Sequence, residues 1–72
     1  MGVTVEAEDL LPDGQPERLT LRGVSSVGEA VARLPLKRST GIVILVNGKL
    51  GQLDTPLQDG DLVQLIPALG GG

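Results

Sequence analysis

Five consecutive apolar residues, Ile42-Val43-Ile44-Leu45-Val46, run straight into Asn47-Gly48, and no other stretch of this 72-residue chain narrows its fold as much. Being apolar at every position, the segment reads as a strand that wants cover on both faces, as central parallel-type strands do. It is expected to lie beside another strand with a helix on one face. Its other face would present apolar side chains either to a partner protein or to covering loops. Asn-Gly supplies the two positive-φ residues of a type I′ hairpin turn, so a short return strand is expected around Lys49 to Leu53.

The rest of the chain supplies neighbours for that strand. Val3-Thr4-Val5-Glu6-Ala7-Glu8 and Glu17-Arg18-Leu19-Thr20-Leu21-Arg22 each alternate apolar with polar residues, the period of a strand with one buried face. Pro12-Asp13-Gly14-Gln15-Pro16 between them carries turn chemistry, so the chain opens with a β-hairpin. Ser26-Val27-Gly28-Glu29 fits a capping box, the serine hydroxyl accepting from the Glu29 N–H and the carboxylate reaching back to the Ser26 N–H. Val27, Ala30, Val31 and Leu34 then form one apolar stripe of a helix of about two turns, which Pro35 stops from running past Leu34. Asp54-Thr55-Pro56 and Gln58-Asp59-Gly60-Asp61 are turn clusters, with Leu57 between them as a core plug. Leu62–Leu69 reads as the last strand, with Val63 and Leu65 expected inside and Leu62, Gln64 and Ile66 on the opposite face.

Hairpin, helix, two further strands and a final strand give an α+β chain: a mixed sheet with one main helix packed on one face. That is the β-grasp, or ubiquitin-like, order. Residues 1–67 are expected to form this single domain, and residues 68–72 a flexible tail ending in Gly-Gly.

Composition removes most chemistry. Cysteine and histidine are both absent, so there is no thiolate nucleophile, no zinc-thiolate site and no side chain that titrates near neutrality, and no metal site is expected. A formal charge of -3 and the absence of any aromatic residue argue against nucleic acid, which needs cations for phosphate and rings for bases. The longest apolar run is five residues, far short of the roughly 20 that span a bilayer, so a soluble cytoplasmic protein is expected. The nine acidic residues either solvate the surface or steer a basic partner.

The chain stops at Gly70-Gly71-Gly72, immediately after an apolar segment. A tail without side chains and with a free carboxylate can thread into a narrow site on another protein, although three terminal glycines alone are equally a loose chain end.

Val46-Asn47-Gly48, Leu57-Gln58-Asp59-Gly60-Asp61-Leu62-Val63 and Pro67-Ala68-Leu69-Gly70-Gly71-Gly72 together resemble the closing third of the MoaD/ThiS sulfur carriers, and the likeness extends more loosely over the whole chain. The resemblance implies that a ubiquitin-activating-like adenylyltransferase uses ATP to adenylate the Gly72 carboxylate. A persulfide donor then supplies sulfur, and the thiocarboxylate delivers it to a biosynthetic enzyme of molybdopterin-type or thiamine-type cofactor synthesis. The chain would be a protein cosubstrate of these adenylyltransferase and sulfurtransferase partners, with no catalytic residue and no bound cofactor of its own. Gly70 and Gly71 would thread into the partner, and Ile66, Pro67 and Leu69 would adjoin the docking surface. Family tails commonly end in two glycines, so Gly70 is an addition. The opening strand lacks the aromatic segment associated with molybdopterin-synthase small subunits, and Asp13-Gly14-Gln15 replaces the Asn-Gly-Glu turn of thiamine-pathway carriers.

Two other classes fit parts of the chain: an interaction module that binds through the apolar sheet face, and a protein modifier conjugated through Gly72 to lysines. Catalysis by Asp59 and Asp61 ranks last, since carboxylates in a tight turn more often accept from local backbone N–H groups.

Overall fold

The structure, a computed structural model, describes residues 2–7, 9–37 and 41–68. Strands β1 (Gly2–Ala7) and β2 (Arg18–Arg22) pair antiparallel, with Val3 opposite Leu21 and Val5 opposite Leu19. The alternation works as expected: Val3, Val5 and Ala7 are fully buried. Leu19 and Leu21 share that inner face but stay half-buried, because β2 is an edge strand. Gly14 takes φ 89° in the connecting turn, where the Gln15 N–H donates to the Pro12 carbonyl at 3.1 Å.

Helix α1 (Val27–Ala32) starts at the extended residue Ser26, whose hydroxyl accepts from the Glu29 N–H at 3.3 Å. The return half of the capping box differs from expectation. The Glu29 carboxylate takes the Ser25 N–H at 2.6 Å and the Ser25 hydroxyl at 3.1 Å, one residue earlier than the cap. Ser26 forms a β-bridge with Pro56, so the backbone entering the helix is extended and presents Ser25 to the carboxylate. Six residues cannot hold a helix in water. Val27, Ala30 and Leu34 are buried and Val31 packs against the same core, while the Arg33 guanidinium donates to the carbonyls of Arg22 and Gly23 and ties the helix end to the hairpin. Gly28 lets the helix start approach the Leu53 loop closely: its N–H donates to the Leu53 carbonyl at 2.8 Å, and a Cβ on it would make a tight 3.1 Å contact with that oxygen.

Strands β3 (Ile42–Val46), β4 (Lys49–Leu50) and β5 (Leu62–Pro67) complete a sheet of order β2-β1-β5-β3-β4. Here the structure corrects the reading of the apolar run. The central strand is β5, parallel to β1 and antiparallel to β3, whereas β3 runs antiparallel to both its neighbours. All five β3 side chains are half-buried. Ile42, Ile44 and Val46 pack on the core and leave Val43 and Leu45 for the outer face, so an unbroken apolar run needed no parallel neighbour. The return strand ends at Leu50 instead of Leu53. A Cβ on Gly51 would lie 3.0 Å from Val46, and the Gln52 N–H turns to the Thr55 hydroxyl at 2.8 Å, bending the chain away from the sheet.

The core lies between α1 and the inner face of the sheet. Val63, Leu65 and the Leu57 plug are buried in it as anticipated, joined by Leu10, Leu11 and Val24 from segments without periodicity. No buried polar or charged residue is found among the described residues, and no helix there is long and apolar enough to cross a membrane.

Candidate functional site

The end of β5 is where the chain reaches toward its last residues. The final register pair is Ile42 with Pro67, after which the Ala68 N–H donates to the Gly41 carbonyl at 2.7 Å. Leu69, Gly70, Gly71 and Gly72 lie outside the described residues. Because β1 and β5 run parallel, this end of the sheet also holds Ala7, the start of β2 and the start of β3.

Alternation separates two of the expected docking residues. Ile66 is 38% exposed on the outer face, away from the helix, while Pro67 is half-buried on the inner side opposite Ile42. Register then gives Ile66 its neighbours: Val43 directly opposite, Leu45 two residues on, and Leu50 opposite Leu45 at 81% exposed. These four make an apolar strip across β5, β3 and β4 that begins at the root of the tail. Val43, Leu45 and Leu50 were not singled out by sequence reading as docking residues. The signal was present in the unbroken Ile42–Val46 run, but only the register shows which of its residues face out.

The strip has a polar border. Gln64 donates its amide to Glu6 at 3.1 Å, and the Arg18 guanidinium lies 3.5 Å from the other Glu6 oxygen, linking β5, β1 and β2 on the same outer face. With Arg18 mostly exposed, such an ion pair stabilises by less than about 1 kcal/mol. Its effect is to divide the face into an apolar half and a polar half.

Asp59 and Asp61 sit at the far end of the sheet, beside Gly2 and Asn47. Asp59 accepts the Gly2 N–H at 2.6 Å. Asp61 accepts the Asn47 amide at 3.0 Å and the Gln58 N–H at 2.8 Å, and these two donors, the amide foremost, hold its carboxyl below the usual carboxylate range. Asp61 thus serves its own turn, as the spacing implied, whereas Asp59 departs from that expectation by tying the turn to the start of β1 instead of to a local N–H. Asn47 does more than was foreseen: besides taking φ 52° in the hairpin turn, its side-chain oxygen accepts the Leu62 N–H at 2.9 Å. An amide before the glycine, in place of a carboxylate, provides both the donor and the acceptor this bridge requires. Among the described residues no group of acidic side chains could hold a metal ion.

The Glu29 carboxyl is likewise lowered, first by the Ser25 N–H and then by the Ser25 hydroxyl. Carboxyls whose folded values lie below their unfolded values, near 4, contribute stability above that pH and lose it as pH falls through the folded value. Urea unfolding followed by circular dichroism is therefore expected to give a midpoint nearly flat from about pH 7 to 5 that drops below about pH 4. Asp61→Asn should make the drop shallower; an unchanged slope would remove Asp61 from this account.

Compared with known proteins, residues 6–72 match the ThiS family. A chain in the complex of subunits 1 and 2 of molybdopterin-converting factor from Helicobacter pylori is 31% identical, with a TM-score of 0.69 and full coverage of both chains. SAMP1 from Haloferax volcanii (20% identical, TM-score 0.76) and the thiamine biosynthesis protein ThiS from Geobacter metallireducens (24%, 0.68) also align over the whole of both chains, and these two likenesses carry the fold alone. A search of curated proteins found no match. The β-grasp order and the family resemblance read from the sequence both stand.

Proposed function

The chain belongs to the ThiS family of small sulfur carriers of cofactor biosynthesis, and on that premise we propose that the Gly72 carboxylate is its working group. A partner adenylyltransferase joins a carboxylate oxygen to the α-phosphorus of ATP and releases pyrophosphate, because a carboxylate resists nucleophiles until it becomes a mixed anhydride. The outer sulfur of a persulfide then attacks the carbonyl carbon and AMP leaves. A thiol cleaves the resulting acyl disulfide, which frees the thiocarboxylate and leaves the donor as a disulfide. The chain supplies the electrophile and the handle; ATP and the sulfur donor belong to the partners.

The observation that carries this reading is that the family match runs through Gly72 itself, together with an apolar strip starting at the tail's root. Ile66, with Val43, Leu45 and Leu50, docks on the adenylyltransferase, while Gly70 and Gly71 lie along the channel to the nucleotide. The complex of the two molybdopterin-converting factor subunits supports an assembly of this chain with a second protein, and in this reading that protein accepts the sulfur. Thiamine-type or molybdopterin-type synthesis is the destination.

The test is ATP-dependent pyrophosphate release on mixing the chain with the adenylyltransferase encoded in the same genome. Wild type should trigger release, and Ile66→Asp should weaken binding at least tenfold, the loss of roughly one buried apolar anchor. Release unchanged by Ile66→Asp would remove the strip from the docking surface, and no release from wild type would remove the adenylation step.

A further inference from the structure

We infer that Gly41 is a positioning residue for the C-terminal tail, anchoring the chain at Ala68 ahead of the residues that are threaded. The inference rests on the adenylation reading above and adds a residue that neither motif nor family likeness points to. Gly41 takes φ 69°, in the left-handed region where a side chain is strained, and its carbonyl accepts the Ala68 N–H at 2.7 Å. Among the described residues that is the last backbone hydrogen bond the chain makes beyond β5. Pro67, just before it, has no N–H to give, so among the described residues the next pair back that holds β5 to β3 is Val43–Ile66.

The consequence is a matter of length. Residues 69–72 can span at most about 14 Å. Release of Ala68 and Pro67 adds two residues to the stretch that must be threaded, roughly 7 Å of reach. Each added residue must be ordered again when the tail is threaded, at a cost on the order of tenfold in rate per residue. Docking through the outer face is untouched, because Val43, Leu45, Leu50 and Ile66 keep their places. The loss therefore falls on the chemical step and not on association, which separates a positioning role from a merely structural one.

The experiment uses the full-length chain made by chemical synthesis with either L-alanine or D-alanine at position 41, the same-genome adenylyltransferase and ATP, with pyrophosphate release as the rate and calorimetric affinity without ATP as the binding readout. Gly41→Ala with the L-residue should lower kcat about tenfold or more with affinity within about twofold. The D-residue, which favours φ near +69°, should restore kcat. Ala68→Pro removes the donor without touching Gly41 and should lose kcat alike, whereas Ala68→Ser keeps the N–H and should behave as wild type; this pair decides the matter if the L-alanine chain does not fold. Normal kcat in both Gly41→Ala and Ala68→Pro, or a D-alanine chain as slow as the L-alanine one, overturns the inference. Failure of the wild-type chain itself to release pyrophosphate would instead overturn the adenylation reading and the inference with it.

Discussion

Trimming Gly72 is expected to abolish sulfur transfer completely while leaving the fold and the docking affinity as they were. The core, the apolar strip and the strand pairs described above are all made by residues up to Pro67, so loss of the last residue is expected to leave them in place. If Gly72 bears the activated carboxylate, its loss places the new terminus about 3.5 Å short of the reacting phosphorus, beyond reach of in-line attack. The expected phenotype in cells lacking the native copy is full loss of the sulfur-dependent cofactor. Circular dichroism and affinity for the adenylyltransferase should match wild type. Growth supported by the trimmed chain would mean that the carboxylate is not the working group.

A single step along β5 should separate stability from docking. Leu65 is 1% exposed between α1 and the sheet, and Leu65→Ala is expected to cost about 3 kcal/mol through lost burial and the cavity left behind. A 72-residue domain holds only roughly 4–10 kcal/mol, so this one truncation should take away a third or more of it. Ile66, the next residue, is 38% exposed on the opposite face, and Ile66→Ala should cost under about 1 kcal/mol of stability while weakening partner binding. Urea unfolding of both variants checks the pair. Equal destabilisation by the two would show that the outer strip is part of the core instead of a surface for another protein.

The contrast between Leu65 and Ile66 was legible in the sequence, because period-two alternation assigns faces wherever one face is dry. The same rule placed Val3 and Val5, and the i, i+3, i+4, i+7 spacing placed Val27, Ala30 and Leu34. Asn47-Gly48 declared its turn because both positions need positive φ. What escaped was whatever depends on residues far apart in the chain. Leu10, Leu11 and Val24 are core residues in segments with no period, so nothing local marks them. The parallel pairing of β1 with β5 joins strands whose partners are about 58 positions apart, from Thr4–Leu62 to Ala7–Leu65, and leaves no trace in either strand alone. The apolar run of β3 suggested a central parallel strand because burial on both faces looks the same in sequence whatever supplies the cover.

The candidate site divides in the same way. Its proposed reacting end was named from the sequence by the glycine run taken together with the β-grasp order and the Asp59-Gly60-Asp61 turn, and Gly70, Gly71 and Gly72 lie outside the described residues. Its proposed grip was only half named: Ile66 was singled out from the sequence and is exposed on the outer face, but Val43, Leu45 and Leu50 adjoin it only through register, and Gly41 enters through one hydrogen bond to Ala68. Leu69, named from the sequence as part of that grip, lies outside the described residues.

Intact-mass analysis of the chain after incubation with its adenylyltransferase, ATP and a persulfide donor tests the central claim most directly. The expected gain equals one oxygen exchanged for one sulfur, carried by the C-terminal fragment containing Gly72 and lost on transfer to the acceptor enzyme. A chain whose mass stays unchanged while its partner consumes ATP and sulfur, or a gain located anywhere other than Gly72, would contradict it.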